Sequence, residues 1–122
     1  MTEYASAEEL AAGDLGDGED MVLPSGKTVK VRGLTRYESM FSTKGLMNSD
    51  GVLTDIALYE RRQVVACVVE PKLTLAQVER WQRKSGANGD LRALMDRIKE
   101  LSGRGEGADK SDLRADGDES GD

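Results

Sequence analysis

"MVLPSGKTVKVR", residues 21–32, decides how the ordered part of this chain begins. Its centre, Gly26-Lys27-Thr28, spells the last three letters of a phosphate-binding loop. That loop needs a glycine five residues before Gly26 and a helix opening at the lysine. Met21 stands at the first position, and Thr28-Val29-Lys30-Val31-Arg32 alternates apolar and polar residues. Alternation with period two is the pattern of a half-buried strand. A strand offers no helix N-terminus to a phosphate. The stretch therefore predicts a β-hairpin, with Met21-Val22-Leu23 as one strand and Thr28 to Arg32 as the other. Pro24 presets φ for the turn, and Gly26 supplies the permissive backbone where the chain reverses.

Charge is spread unevenly around this hairpin. Residues 1–20 carry seven acids and no base, and residues 103–122 carry seven acids against Arg104, Lys110 and Arg114. The whole chain of 122 residues is at −6, which leaves its middle positive. The two flanks are rich in Gly, Ser, Asp and Ala. Such segments cannot bury enough apolar surface to offset chain entropy. Residues 1–20 and 104–122 are thus expected to be disordered acidic arms around one domain, residues 21–103. Ser6-Ala7-Glu8-Glu9 spells a capping box, but too few residues follow before Gly13 for a helix stable alone.

A domain of about eighty residues is marginally stable on its own core. One cysteine, Cys67, allows no internal disulfide, and the chain has no histidine. A Cys/His zinc site and the Ser-His-Asp and Cys-His arrangements are thereby excluded. Cys67 sits among aliphatic residues in Val64-Val65-Ala66-Cys67-Val68-Val69, where a thiol is ordinarily buried and inert. No cofactor, metal or catalysis is expected. The sequence reads without a signal peptide or an apolar run of membrane length, which fits a reducing cytosol.

Beyond the hairpin, Thr35 with Glu38 forms a capping box, which predicts a short helix from Arg36 to about Lys44. The segment Thr54 to Glu70 is the longest helix candidate, ended by Pro71. Its β-branched run Val64–Val69 also suits a strand; length and continuity favour helix. On that helix Arg61 falls inside the arc of Ala57, Val64, Val65 and Val68. Either its stem lies along the core and its head reaches water, or it meets a carboxylate on a partner. Thr74 with Gln77 opens another helix, to about Lys84. Asp90 caps the last, whose Leu91, Leu94, Met95, Ile98 and Leu101 share an arc of about 120°. The fold class is α+β: an N-terminal β-hairpin followed by about four α-helices.

Three phrases in this order are familiar: "VLPSGKTVKVRGLTRYE" at 22–38, "ERRQVVACVVEPKLTLAQVERWQ" at 60–82 and "GDLRALMDRIKELSG" at 89–103. Together they make the chain resemble the tail assembly chaperones of long-tailed (siphovirus-like) bacteriophages. The resemblance covers most of residues 22–103 and leaves out the acidic N-terminal arm. It implies a non-enzymatic protein of the host cytoplasm, absent from the mature virion. Such a protein binds the helical tape-measure protein and helps tail tube subunits assemble around it. Many such proteins are also made in a longer form by ribosomal frameshifting near the 3′ end.

An apolar helix with extra valine faces and a Met-containing stripe suits helix-in-groove recognition. Like-charged arms oppose aggregation. Tyr37, Phe41, Arg61, Val65 and Trp81 are the candidate partner-binding residues, chosen for size or misfit. A homo-oligomer is compatible with the small core. A structural head–tail connector or tail-completion protein is the first alternative. A small nucleic-acid-binding regulator is the second, suggested by Lys27, Lys30 and Arg32. The acidic arms and the lack of a recognition helix weigh against the latter.

Overall fold

Leu23 donates its N–H to the Lys27 carbonyl (2.7 Å) and accepts one from Gly26 (2.8 Å), which closes the expected turn. Gly26 takes φ +95°, a conformation open to glycine at little cost. The structure is a computed structural model that describes residues 2–103. The acidic tail 104–122 lies outside the described residues. In chain order the elements are α1 (Ala7–Ala12), β1 (Glu19–Val22), β2 (Thr28–Val31), α2 (Arg36–Ser42), α3 (Ile56–Cys67), β3 (Val68–Glu70), α4 (Leu75–Lys84) and α5 (Asp90–Gly103). The class is α+β, as the sequence predicts. One antiparallel sheet has strand order β1-β2-β3, with helices packed on α3.

Two differences from the sequence reading change the sheet. β1 starts at Glu19 and pairs Glu19 with Val31 and Val22 with Thr28, so Leu23 belongs to the turn. Glu19 and Asp20, read as the end of the acidic arm, are strand residues. Arg97 of α5 donates from Nε to the Glu19 carboxylate at 2.7 Å, which ties the start of β1 to α5. The second difference concerns the helix expected to run to Glu70. It stops at Cys67, and Val68–Glu70 forms a third strand against β2. β-branched Val68 and Val69 fit a pleated surface, and Pro71 bars a helical Glu70. The edge of β2 supplies partners that a helix end lacks; Arg32 donates its N–H to the Cys67 carbonyl at 2.9 Å.

α1 closes its capping box, with Glu9 N–H on Ser6 Oγ at 3.0 Å and Ser6 N–H on the Glu9 carboxylate at 2.7 Å. It buries no residue. α2 and α4 open on the predicted boxes at Thr35/Glu38 and Thr74/Gln77. α2 ends at Ser42, short of Lys44, where the Arg62 guanidinium donates to the Lys44 carbonyl at 2.7 Å.

The core is small and continuous. Val31, Val64, Cys67, Val78, Leu94 and Ile98 are fully buried between the sheet, α3, α4 and α5. Burying each such aliphatic side chain contributes about 1.5–3 kcal/mol. Asp90, expected to cap α5, is its first residue. Its carboxylate accepts the N–H (3.0 Å) and hydroxyl (2.7 Å) of Ser25, which ties the hairpin turn to α5. At the other end of α5, Leu34 donates its N–H to Ser102 Oγ at 2.7 Å.

Between sheet and α2 stands a two-pronged ion pair. Arg32 donates from both terminal nitrogens to Glu38, at 2.8 and 2.7 Å. This pairing holds the Glu38 carboxyl down at about 2. Because the folded value is depressed, its stabilisation is complete above the unfolded pKa of about 4.3 and disappears as pH falls toward 2. Allowing for the partly solvated site, Glu38→Gln is expected to cost about 1–2 kcal/mol at pH 7. Urea unfolding at pH 7, 4 and 2.5 should show the two proteins converging in stability. A gap at pH 2.5 as wide as the one at pH 7 contradicts the assignment.

Candidate protein-docking groove

The five candidate residues do not form one patch. Tyr37 and Phe41 lie one turn apart on α2, which places them on the same face. Their rings stack with centroids 6.3 Å apart and planes 16° from parallel. Both are exposed, at 73% and 53%, and Met40 beside them is at 56%. The Lys44 ammonium sits 5.3 Å from the Phe41 centroid, a cation–π arrangement worth about 0.5–1 kcal/mol at an exposed site. Ser42 and Leu46 are buried, so this segment hides small or aliphatic residues and leaves its aromatic rings outward.

Arg61 has a partner within the chain. Its Nε donates to Gln82 Oε1 at 2.8 Å, and Gln82 Nε2 donates to the Ala57 carbonyl at 3.1 Å. The residue that looked like a misfit in α3 is a brace between α3 and α4. Val65 and Trp81 are half-buried and pack against the core. Val65 lines, with Ala66, Val69 and Leu73, a shallow hollow of about 320 Å³. Among the four valines from Val64 to Val69, Val64 and Val68 are buried, and Val65 and Val69 retain partial exposure.

The larger open surface lies elsewhere. One hollow of about 620 Å³ is lined by Ile56, Tyr59 and Arg61 of α3, Gln82 and Arg83 of α4, and Leu91 and Met95 of α5. A second, of about 720 Å³, is lined by Leu34, by Arg36 and Ser39 of α2, by Tyr59 and Gln63 of α3, and by Met95, Ile98 and Lys99 of α5. The two share Tyr59, Arg92 and Met95. They therefore adjoin along the α3–α5 face as a two-part trough, one part flanked by α4 and the other by α2. Its origin is the register of α5. Leu91, Leu94 and Ile98 are buried, whereas Met95 rests on the shoulder of that row, half-exposed.

The trough's charges are asymmetric. Arg83 pairs with Glu79 at 2.8 Å and holds that carboxyl below the usual range. Arg92 pairs with Asp96 at 3.4 Å. Arg36 and Lys99, on opposite walls of the second hollow, have no ion-pair partner among the described residues. The floor is thus aromatic, thioether and aliphatic, and the α2 end of the rim is cationic. Tyr59 and Met95, which line both hollows, were absent from the candidate set. Met95 belonged to the apolar stripe of α5, but only the placement of three helices shows which member of that stripe is left open.

Other chemistry is sparse. Burial pushes the Cys67 thiol up to about 12, so the thiolate nucleophile is suppressed. Arg32, one of the three cations behind the nucleic-acid alternative, is held by Glu38 and is not free for phosphate. Among the described residues, no three Cys, Asp or Glu side chains gather as a metal site, and no helix is long and apolar enough to cross a membrane. Comparisons with protein-family models, with curated proteins and with solved structures find no match to the chain.

Proposed function

We propose that the chain is a tail assembly chaperone of a long-tailed bacteriophage. It acts without catalysis, by holding a helical segment of the tape-measure protein until tail tube subunits enclose it. The observation that carries this reading is the pair of adjoining open hollows between α3 and α5, both lined by Tyr59 and Met95. Amphipathic helices bind by laying an apolar face into such a groove. A thioether floor adapts to successive stretches of a long client because Met repacks at little cost. The ordered phrases at 22–38, 60–82 and 89–103 support the same reading. The exposed Tyr37–Met40–Phe41 face lies on the far side of α2 from Ser39, which walls the trough, and offers a second apolar contact for a tube subunit or client.

The protein works in the host cytoplasm and is left out of the finished particle. The test is co-expression of the full chain with the neighbouring reading frame for a long, helical, coiled-coil-rich protein. A soluble complex of the two is expected, with the long protein insoluble when made alone. If its solubility is unchanged and no complex is recovered, the proposal fails. Mass spectrometry of purified particles separates this role from that of a connector or tail-completion protein: the chain should be absent, and its presence at fixed stoichiometry assigns it to the virion.

A further inference from the structure

Two polar side chains are buried among the described residues, Ser42 at 3% exposed and Gln63 at 7%. Ser42 donates its hydroxyl to the Ser39 carbonyl at 2.7 Å. The side-chain amide of Gln63 makes no hydrogen bond to any described residue. A buried amide without a protein partner is uncommon, because an unmade bond leaves the cost of desolvation uncompensated. Gln63 lines the second hollow, so a guest seated there can supply the bond that the fold does not.

The charges around that amide favour an anion. Arg36, Arg92 and Lys99 line the same hollow against one acid, Asp96, which Arg92 already pairs at 3.4 Å. Arg36 and Lys99 have no ion-pair partner among the described residues. Arg36 is also the first residue of α2, where a cation opposes the helix dipole and lowers stability. We infer that the second hollow anchors a docked helix by one carboxylate, which accepts from the Gln63 amide and lies between Arg36 and Lys99. The partner is thus an amphipathic helix with Asp or Glu beside its apolar row.

Helical spacing sets where that acid stands. Ile56 and Leu91 line the first hollow, and Gln63 and Lys99 the second, so α3 and α5 run the same way along the trough. Gln63 follows Tyr59 by one turn on α3, and Lys99 follows Met95 by one turn on α5, a rise of about 6 Å on each wall. A helix whose apolar side chain covers Tyr59 and Met95 must therefore carry its carboxylate three or four residues away. Charge-assisted bonds to both cations are open to a carboxylate and closed to a neutral amide. The inference rests on the reading of the trough as a helix-docking groove and is independent of which protein supplies the helix.

The experiment titrates the full chain with capped synthetic helical peptides, followed by amide signals, including the side-chain amide of Gln63. Each peptide carries two leucines one turn apart and, one turn beyond each of them, glutamate, glutamine or lysine. The glutamate peptide should shift the Gln63, Met95 and Lys99 signals and bind about tenfold or more tighter than the glutamine peptide. In Arg36→Glu/Lys99→Glu the order should reverse in favour of the lysine peptide. Gln63→Leu should melt no lower than the parent, because it removes an unpaired amide, and should narrow the preference for glutamate over glutamine. Equal affinity of the three peptides, with shifts still in the trough, overturns the acidic anchor and leaves the groove reading standing. Shifts confined to the outer face of α2, or no binding at all, remove both. A lower melt for Gln63→Leu shows that the fold itself uses the amide and overturns the anchor. So does inorganic phosphate that moves the Gln63 signal as far as the glutamate peptide does, since that marks a site for free anions.

Discussion

Replacing Gly33 by alanine is expected to lower stability by about 2–4 kcal/mol, and replacing it by valine to prevent folding. A Cβ at this position meets the Leu101 carbonyl carbon and oxygen at 2.6 Å each and the Ser102 nitrogen at 2.8 Å. All three are backbone atoms, so no side-chain rotation relieves the contact. α5 must move its last turn away from the β2–α2 connection, which breaks the Leu34–Ser102 hydrogen bond. Overpacking of this kind costs about 1–3 kcal/mol, and the lost hydrogen bond about 0.5–1.5 kcal/mol more. A domain of this size has about 5–10 kcal/mol in total. At about 4–8 °C per kcal/mol, Tm should drop by about 8 °C or more in a circular-dichroism melt. Gly86→Ala is the matched control, since a Cβ there meets nothing within 4 Å; its Tm should stay within about 3 °C of the parent. Equal melts for the two variants contradict the close approach of the β2–α2 connection to α5.

What could be read from the sequence here was local. Pro24 and Gly26 announce the turn, and Thr35/Glu38 and Thr74/Gln77 announce two helix starts, because each signal and its consequence lie within a few residues. The failures are all matters of distance along the chain. Whether Val68–Glu70 is helix or strand depends on β2, whose open edge lies some forty residues earlier. Gly33 reads as a simple break until the end of α5 is set against it. Arg61 reads as a misfit because Gln82, its partner, is 21 residues on. The same division holds at the candidate site. Tyr37 and Phe41 were recognisable as one face of α2, but the trough has walls from α2, α3, α4 and α5 and so has no signature in any one of them. Tyr59 and Met95 are ordinary members of apolar stripes until those helices leave a gap between them.

That gap supplies the sharpest functional expectation: Met95→Lys should abolish capture of the helical client and leave the fold intact. Met95 is half-buried, so a lysine there can lay its stem along the trough and keep its ammonium in water. The free protein should therefore melt within a few degrees of the parent. Under a docked helix that escape is closed, and the ammonium loses its water at a cost of several kcal/mol. Each 1.4 kcal/mol is a factor of ten in affinity, so binding of a soluble client fragment should weaken at least 100-fold, and co-expressed client should return to the pellet. Tyr37→Ser/Phe41→Ser is the discriminating partner variant. These rings are already exposed and stack on each other, so their removal leaves the trough unchanged. If client capture survives Met95→Lys and is lost with the α2 pair, the binding face is the outer surface of α2. If both variants capture client as the parent does, neither apolar surface holds it, and the chaperone reading loses its structural basis.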